Sequence, residues 1–390
     1  MTARTARAMV MAGLAVLAST ASAQAIVTLT PTSNQRSVLG SLRPGDTLQI
    51  SGNFATPFVI RNRDFGNVQV DARGATFQGG VALVNVQNLS ITGGTYGRSD
   101  IDLAAWHTVR VESSRNISLR DGLFLGNGDQ RGSGLQVLLS SQVTVRDSRF
   151  TGHGTGLGVR TSTNVLVTRN TITGSTGDGI NVVDSQRVVV SNNSCSAFVP
   201  GPGAHPDCIQ LWSLAGRPLQ SDIAVINNSA IGDMQAFVSF DPRTGSGNRL
   251  IFAGNYAAIT YTHGVSCTRC NDSIFIDNVL TNLPGARWGA PSVRLTEGTG
   301  NLVANNRTFD VRQLALQPGF VLPGPAWSQF VPGFAGLVGS QLDLVPWHVG
   351  AGTAPAAAVP EPASWMMMGL GFAVIGRMLR RRRGPQRVMA

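Results

Sequence analysis

The stretch Val165-Leu166-Val167-Thr168-Arg169-Asn170 contains the pattern that decides the fold. The first and third residues are apolar and are expected to face inward, and any residue can stand between them. Polar residues follow, and an asparagine stands five places after the first valine. The motif recurs along the chain, with first residues at Val68, Leu89, Ile117, Val143, Val165, Val188, Ile223, Leu250, Ile274 and Leu302. Successive motifs are 21 to 35 residues apart. A repeat in this range indicates a solenoid, because each unit can bury its apolar side only against its neighbours.

The motif alternates with a period of two residues, which excludes helical repeats. One turn of a three-sided β-helix takes about this many residues, so residues 24–312 are predicted to form an all-β, right-handed parallel β-helix of about ten coils. A β-sandwich is the alternative. Its hairpin turns would favour Asn-Gly or Asp-Gly pairs, and these pairs are scarce between the predicted strands.

Asparagines recur at one place in the motif. Each follows its strand start by five residues, at Asn170, Asn193, Asn228 and Asn255. Asparagine tolerates the left-handed backbone that a sharp corner requires, and stacked amides can form hydrogen bonds from coil to coil. Asn278 and Asn306 come one place early, so we expect the register to shift there.

The segment Pro44-Gly45-Asp46-Thr47-Leu48-Gln49-Ile50 looks like the first coil of such a solenoid. Over roughly residues 40–310 the chain resembles the pectate-lyase-like right-handed β-helix superfamily. This resemblance implies the fold and says little about chemistry, because one fold hosts unrelated activities. Residues 313–358, rich in Pro, Gly and Ala, are predicted to cap the last coil through Trp327, Phe330 and Phe334 and then to form a linker.

Residues 1–23 have the composition of a secretory signal peptide. Arg4 and Arg7 supply positive charge, an apolar stretch follows from Ala8 to Ala18, and Ala21-Ser22-Ala23 offers small residues for cleavage. The apolar stretch is too short to cross a bilayer. We therefore predict an exported body that begins at Gln24. A buried N-terminal helix is the alternative, and it would need an amphipathic face that this segment lacks.

The C-terminal end contains three features in order: Val359-Pro360-Glu361-Pro362, an apolar run from Trp365 to Ile375, and Arg380-Arg381-Arg382-Arg383. Residues 359–384 thus resemble the PEP-CTERM sorting signal of Gram-negative bacteria that produce exopolysaccharide. The resemblance implies recognition by an exosortase-type membrane enzyme and processing near the Pro-Glu-Pro.

The physical properties of this tail indicate a transient anchor in the inner membrane. Arginine beside an apolar run stays cytoplasmic, so the body is predicted to be periplasmic, at the cell surface or extracellular. The apolar run is shorter than the ~20 residues of a comfortable span. A permanent single-span anchor is the alternative.

The net charge of +10 does not imply a basic surface on the predicted β-helix. All 31 basic residues are arginine, and eight of them lie in the leader and the tail. The remaining 23 arginines face 20 acidic residues and form no basic block. Nucleic-acid binding would require a concentrated basic face, so no nucleic-acid partner is expected.

The sequence contains four cysteines: Cys195, Cys208, Cys267 and Cys270. In an exported chain an even number favours disulfides. Cys195 and Cys208 are predicted to lie on successive stretches of one turn, and Cys267 and Cys270 to lie close together on a loop. Zinc binding by all four and buried free thiols are the alternatives, although the first pair lacks the spacing of metal ligands.

A second strand can be aligned in five consecutive coils by its apolar residue, at Leu135, Leu157, Ile180, Ile209 and Phe237. Two places earlier stand Ser133, Thr155, Asp178, Asp207 and Gln235. One place later, facing outward, stand Gln136, Gly158, Asn181, Gln210 and Val238. Three places later stand Leu138, Arg160, Val183, Trp212 and Phe240. Because adjacent strands are ~4.8 Å apart, Asp178 and Asp207 are predicted to be stacked neighbours.

This alignment predicts one functional cluster. Its candidate catalytic residues are Asp178, Asp207, His205 and Arg160, and its candidate substrate-binding residues are Asn181, Gln210, Trp212, Phe240, Asp241 and Arg243. Two adjacent carboxylates cannot both ionise freely unless a cation or a proton intervenes. The pair is therefore a calcium site, a general acid/base pair, or part of a platform that binds sugar hydroxyls. The structural alternative is that Asp178 and Asp207 are turn residues.

Known enzyme families fit this cluster incompletely. Phe240-Asp241-Pro242-Arg243 resembles the Phe-Asp-Pro-His stretch of mannuronan epimerases, but Arg243 replaces the histidine. Gly152-His153-Gly154 resembles the Gly-His-Gly of polygalacturonase-like enzymes, but here it precedes Asp178. A lyase with a lysine base is excluded because the chain contains no lysine, whereas Arg160 or Arg243 could act as an arginine base.

These observations predict an exported β-helix protein that acts on an extracellular polysaccharide as a hydrolase or a lyase. The sequence leaves the enzyme class open. The alternative is a non-catalytic surface protein that binds the exopolysaccharide of a biofilm matrix, which the sorting tail favours. No cofactor other than calcium is indicated.

Overall fold

The computed structural model describes residues 24–97, 107–128, 132–239, 247–286 and 288–310. In these ranges, strands joined by parallel pairings form one continuous sheet that winds into a solenoid of about nine turns. The prediction of an all-β parallel solenoid is therefore confirmed.

The described chain contains these elements in order: β1 (Ile26–Leu29), α1 (Gln35–Ser41), β2 (Thr47–Phe54), β3 (Phe58–Phe77), β4 (Val81–Thr92), β5 (Thr95–Gly97), β6 (His107–Glu112), β7 (Arg115–Arg120), β8 (Leu123–Leu125), β9 (Ser133–Leu138), β10 (Ser141–Arg146), β11 (Arg149–Thr151), β12 (Thr155–Arg160), β13 (Thr163–Thr168), β14 (Thr171–Thr173), β15 (Ile180–Val183), β16 (Gln186–Ser191), β17 (Ser194–Ser196), β18 (Asp207–Trp212), β19 (Ser221–Ile226), β20 (Ser229–Gly232), β21 (Gln235–Ser239), β22 (Gly247–Asn248), β23 (Ile251–Ala253), β24 (Tyr256–Ile259), β25 (His263–Thr268), β26 (Cys270–Asn271), β27 (Ile274–Ile276), β28 (Val279–Asn282), β29 (Ser292–Thr296), β30 (Leu302–Ala304) and β31 (Arg307–Phe309).

Each coil contributes one strand to each of three faces. Face A consists of β6, β9, β12, β15, β18, β21, β25 and β29. Face B consists of β7, β10, β13, β16, β19, β23, β27 and β30. Face C consists of β5, β8, β11, β14, β17, β20, β24, β28 and β31. Inward-facing aliphatic and aromatic side chains from the three faces fill the axis, because alternate residues of a strand point to opposite sides.

The predicted register on face B is correct up to Leu250. Val143 pairs with Val165 and Val165 with Val188, as the repeat requires. The next coil pairs Ile251 with Ile274, so the residue opposite Leu250 is Ser273. The predicted strand starts at Ile274 and Leu302 were one residue late, because a buried serine occupies an inward position where the motif requires an apolar residue.

With these strand starts corrected, the recurring asparagines keep the same place in every coil, including Asn278 and Asn306. We call this row of stacked asparagines the asparagine ladder. The Oδ1 atom of Asn193 accepts hydrogen bonds from both the backbone N–H and the side-chain amide of Asn170, at 2.9 and 3.0 Å. The same pair of bonds recurs from coil to coil, in the order Asn170, Asn193, Asn228, Asn255, Asn278 and Asn306. The predicted coil-to-coil hydrogen bonds are confirmed.

The backbone role predicted for these asparagines was wrong. The left-handed residue is the one before each ladder asparagine: Arg169, Asn192, Asn227, Gly254, Asp277 and Asn305. This residue makes the bend between faces B and C, and the ladder asparagine that follows lies inside, buried. The side chain is therefore selected for its inward hydrogen bonds and not for tolerance of positive φ.

A second ladder, of serines, lies at the corner between faces A and B. Ser114 N–H donates to Ser140 Oγ at 3.0 Å, Ser140 N–H to Ser162 Oγ at 3.1 Å, and Ser162 N–H to Ser185 Oγ at 3.1 Å. These short side chains satisfy backbone donors that the bend removes from the strand pairing. The ladder follows the coils up to Ser185, after which the corner opens into the loop 213–220.

The two ends of the solenoid differ. At the N-terminal end the buried Asp46 carboxylate accepts hydrogen bonds from Ala25 N–H (3.0 Å) and Arg43 N–H (2.7 Å), tying β1 to the first coil. At the other end Leu302 and Val303 are about half exposed. The predicted cap, with Trp327, Phe330 and Phe334, lies outside the described residues.

Both predicted termini also lie outside the described ranges, namely the signal peptide (1–23) and the tail (359–384) with Pro360, Glu361 and Pro362. Within the ranges that are described, none of the helices has the length and apolar composition needed to cross a membrane.

All four cysteines are paired in the structure. Cys195 bonds to Cys208 with a Cα–Cα distance of 5.6 Å, and Cys267 bonds to Cys270 with a Cα–Cα distance of 5.9 Å. The loop predicted for the second pair was wrong, since Cys267 ends face A in β25 and Cys270 begins β26. Both are buried. The first disulfide joins the face C strand β17 to the face A strand β18 across the corner that contains Asp207.

Replacement of Asn193 by alanine is expected to lower the free energy of unfolding by about 3 kcal/mol, because it leaves the buried donors of Asn170 without an acceptor. Chemical denaturation followed by circular dichroism would measure the change. Asn306→Ala is the matched control, because Asn306 is the last rung and only partly buried. Equal shifts for the two variants would contradict a ladder whose interior rungs matter most.

Candidate functional site

Among the residues that the structure describes, the corner between faces C and A carries no side-chain ladder, and its connections vary in length. They run over residues 152–154, 174–179, 197–206, 233–234, 260–262 and 283–291. Where the chain enters face A, one polar position is repeated in eight coils: His107, Ser133, Thr155, Asp178, Asp207, Gln235, His263 and Ser292. We call this row the entrance column. It contains the predicted Asp pair.

Asp178 and Asp207 occupy adjacent rungs of the entrance column, as predicted. Asp178 Oδ1 accepts a hydrogen bond from the Asp207 backbone N–H at 2.9 Å, and Asp178 Oδ2 accepts one from the Asn181 side-chain amide at 3.1 Å. The Asp178 carboxyl is partly exposed. Its burial raises the pKa, and the two hydrogen bonds and the nearby His205 oppose that rise. Asp178 thus connects the next coil to an outward-facing amide.

The Asp207 side chain is completely buried, with 0% exposure. Neither of its carboxyl oxygens has a hydrogen-bond partner among the described residues, and the same is true of the Gln235 Oε1 atom one rung further on. Burial, followed by the negative charge of Asp178, raises the pKa of Asp207 well above its ordinary value. A buried carboxylate without a donor is unstable, so Asp207 is held as a neutral acid. It cannot contact a ligand in this conformation.

Two histidines lie close to the pair. His205 is exposed on the loop 197–206, and its charge acts on both Asp178 and His263. His263 belongs to the entrance column, and its Nδ1 atom is 2.8 Å from Ser266 Oγ. Burial, then Arg294 and His205, lower the pKa of His263. The sequence analysis missed His263, although it stands two places before Val265, the same offset that identified Asp178.

The outward residues of face A form a polar floor beside the entrance column. They are Arg110, Gln136, Gly158, Asn181, Gln210, Val238, Ser266 and Arg294 in one row. A Cβ atom at Gly158 would lie 2.5 Å from Gln136 Oε1. Glycine is therefore required for the Gln136 amide to lie flat across its neighbour. Asn181 and Gln210 pair directly, as predicted.

Arg160 and Trp212 lie at the far side of this floor. Arg160 is in register with Val183, and Val183 with Trp212. Each is five residues along the strand from the entrance column, which corresponds to ~16 Å. The structure therefore does not bring Arg160 close to Asp178 and Asp207, because Arg160 lies at the opposite end of the strand from the entrance column. The indole of Trp212 is partly exposed, while its buried Nε1 has no acceptor in the ranges described.

Three predicted binding residues, Phe240, Asp241 and Arg243, lie outside the described residues. Another aromatic that the sequence analysis missed is Trp288, which is 56% exposed on the connection 283–291. It follows the strand β28 and stands at the same corner as the loop that contains His205. No periodic signal marks it, since it lies in a loop.

The described residues contain no group of three or more His, Cys, Asp or Glu side chains placed to hold a metal ion. Calcium takes six to eight oxygen ligands. The Asp178 oxygens already accept hydrogen bonds, so the Asp pair alone supplies few free ligands. The calcium site stays a prediction.

Two family models match the sequence. Residues 50–201 and 133–313 match the family described as right handed beta helix region, which covers more than half of the chain. Residues 358–383 match the PEP-CTERM protein-sorting motif. That motif indicates secretion and sorting to the cell envelope or exterior. No curated protein sequence matches the chain.

Solved structures with a similar fold share little sequence with this chain. A surface adhesin of Streptococcus pneumoniae, PfbA, has a TM-score of 0.47 and 12% identity over 72% of this chain and 80% of its own. The Dettilon tailspike protein has a TM-score of 0.47 and 12% identity over 72% and 67%. An endo-xylogalacturonan hydrolase from Aspergillus tubingensis has a TM-score of 0.45 and 12% identity over 72% and 92%.

Because the pKa of Asp207 is raised in the folded state, its contribution to stability is greatest below the ordinary pKa of 3.8 and is lost as the pH rises towards the folded value. Asp207→Asn is therefore expected to become more stable than the unmodified protein as the pH increases. Unfolding midpoints from pH 4 to pH 8 would measure this.

Asp64→Asn is the control of opposite sign. The Asn88 amide donates to the exposed Asp64 carboxylate and holds its pKa below the usual value of 3.8. This variant should therefore lose stability relative to the unmodified protein as the pH rises through the range below 3.8, so its profile is extended to about pH 2. Parallel pH profiles for the unmodified protein and Asp207→Asn would show that Asp207 is not held neutral.

Proposed function

The chain belongs to the right-handed β-helix family and carries a PEP-CTERM sorting motif, and from that premise we propose that it is an exported protein that binds an extracellular polysaccharide along face A. The observation that supports this most is the floor of face A. Amides from three coils, Gln136, Asn181 and Gln210, lie on one outward row of this parallel sheet.

Amide side chains suit sugar hydroxyls because each amide both donates and accepts hydrogen bonds. On face A the coils are ~4.8 Å apart, so a glycan lying along the solenoid axis would meet a polar side chain in each coil of this row except those of Gly158 and Val238. Trp212 at one side of the floor and Trp288 at the corner supply aromatic surfaces for the apolar faces of sugar rings. The loops 197–206 and 213–220 flank the floor.

The charges of the floor favour a glycan with some acidic groups. Arg160 and Arg294 make no salt bridge within the described residues, and Glu112 is already paired with Arg110 at 2.6 Å. Arginine binds carboxylates well, since its planar guanidinium presents several donors at once. A uronic-acid polysaccharide therefore fits this surface better than a cationic one.

The Asp pair supports this surface from beneath, and Asp207 does not contact the ligand. Asp207 is buried and neutral, and its backbone N–H fixes Asp178. Asp178 in turn holds the Asn181 amide. The pair thus positions an amide of the floor and joins two coils.

The sorting motif supports a location where such a polymer occurs. It implies processing by an exosortase-type enzyme. With the predicted signal peptide and transient inner-membrane anchor, the body would be released or displayed outside the inner membrane, where a bacterium's own exopolysaccharide accumulates. A biofilm matrix protein is the corresponding role.

Trp212→Ala is expected to weaken binding to a recognised polysaccharide by about tenfold, and Gln210→Ala by less, because a buried aromatic contact usually contributes more than one hydrogen bond. Affinity electrophoresis of the chain from Gln24, on gels containing neutral or uronic-acid polysaccharides with Ca²⁺ or EDTA, would measure retention. Thr144→Ala on face B is the control and should leave retention unchanged. Unaltered retention of both face A variants would contradict the proposal.

Catalysis is the second candidate, and one observation favours it. Asp178 is partly exposed, has a raised pKa and lies near the exposed His205, which suits a general acid beside a base. Against it, Asp207 is inaccessible and Arg160 lies ~16 Å along the strand. A hydrolase or lyase would need a rearrangement of this corner.

If the protein only binds, incubation with the same polysaccharides should release no new reducing ends and no absorbance of unsaturated sugars. Reducing ends alone would indicate hydrolysis, and both signals together would indicate a lyase. An enzyme that uses Asp178 should lose its rate by at least about 100-fold in Asp178→Asn, while Asp64→Asn should keep it. Such a loss would replace the binding proposal with the catalytic one.

A further inference from the structure

The outward side of face B changes from polar to apolar halfway along the solenoid. One row of outward residues reads Gln69, Ser90, Ser118, Thr144, Leu166, Val189, Ala224, Ile251, Ile274 and Leu302. The first four are polar and the last six are apolar. Residues on this side point away from the core, because they alternate with the inward aliphatic residues.

A second outward row, two residues further along each strand, changes in the same direction. It reads Asp71, Thr92, Arg120, Arg146, Thr168, Ser191, Ile226, Ala253, Ile276 and Ala304. We call the apolar part of both rows the face B stripe. It ends at the last described coil, where Leu302 is 46% exposed.

The middle of the face B stripe is closed to solvent although it points outward. Ile226 is 3% exposed and Ile251 8% exposed. The hydrophobic side chains packed against this cluster, Leu166, Ile274 and Ile276, belong to the same stripe. Outward side chains are closed to solvent in this way only when other groups pack over them, so this aliphatic run is covered rather than open to water.

The segment 313–358 has the composition of such a partner. It contains sixteen large apolar residues, among them Trp327, Phe330 and Phe334, and its only formal charge is Asp343. Prolines and glycines punctuate it, which prevents it from forming a long helix or a core of its own. An apolar chain of this kind is stabilised by lying against an existing apolar surface.

Its position and length also fit. The segment follows Asp310 almost directly and so starts beside the C-terminal end of the stripe. Six coils span ~29 Å, while an extended chain of this length reaches ~150 Å. A second copy of the protein fits less well, because a strip of this length and ~10 Å width offers roughly 300 Å² per copy against about 800 Å² in a standard interface.

We propose that residues 313–358 of the same chain run back along the face B stripe and cover it. In this arrangement the segment forms a lateral cover as well as a cap for the last coil. It also leaves face A free, on a different side of the solenoid, and brings the sorting motif out from the flank of the body.

The proposal is tested with the whole chain from Gln24 in detergent, carrying an aliphatic diazirine amino acid at position 251. Irradiation and peptide mass spectrometry should identify cross-links from position 251 to residues 313–358 of the same molecule. The same amino acid at position 144, in the polar half of the same row, is the matched control and should yield at least about fivefold fewer links to that segment. Links from position 251 to a second copy, seen as a covalent dimer, or equal links from both positions would overturn the proposal.

A second measurement avoids the unnatural residue. Ile251→Arg is expected to raise the rate of proteolytic cleavage within residues 313–358 about tenfold, because a charge under the cover increases the undocked population. Thr144→Arg should leave the rate unchanged, and both variants should keep the unfolding midpoint of the solenoid. No change in cleavage for a folded Ile251→Arg protein would also overturn the proposal.

Discussion

The backbone N–H groups at the corner between faces B and C need acceptors that the bend cannot supply, and this requirement organises the rest of the solenoid. The Oδ1 atom of an asparagine in the next coil meets it at 2.9–3.0 Å from Asn170 to Asn306. Each such oxygen also accepts the amide of the asparagine below. The bond is possible only when successive coils are in one register at strand spacing. The ladder therefore determines which side chains become neighbours on all three faces.

The serine ladder secures the next corner in the same way, and the third corner has no ladder. Connections there vary from two residues at 233–234 to the long loop 197–206. The repeat places no fixed residue type at this corner, so its positions are free to carry varied polar side chains. Function-bearing residues commonly lie on loops that a rigid scaffold holds in place, and here the scaffold consists of the two locked corners.

The faces of the solenoid divide the tasks by the chemistry of their outward rows. Face A carries amides and arginines on its outward row, and the proposed binding of a hydrated polymer rests on them. Face B turns aliphatic over its C-terminal half, which suits an apolar chain. The inward rows of all three faces are apolar and form the core, so the outward rows decide what each side contacts. Asp207 belongs to neither group: it is an inward residue of the entrance column whose neutral carboxyl is buried beside Asp178.

The sequence by itself determined the period, the parallel solenoid, the pairing of Asp178 with Asp207 and of Asn181 with Gln210, because these depend on local alternation and on counting from coil to coil. Its errors arose where a single residue departs from the motif, as at the buried Ser273. Tertiary structure alone decided that Asp207 is inaccessible, that Arg160 is a strand length away from the pair, and that the ladder asparagines follow the left-handed residues. These properties depend on burial and on distances across coils, which a one-dimensional repeat does not contain.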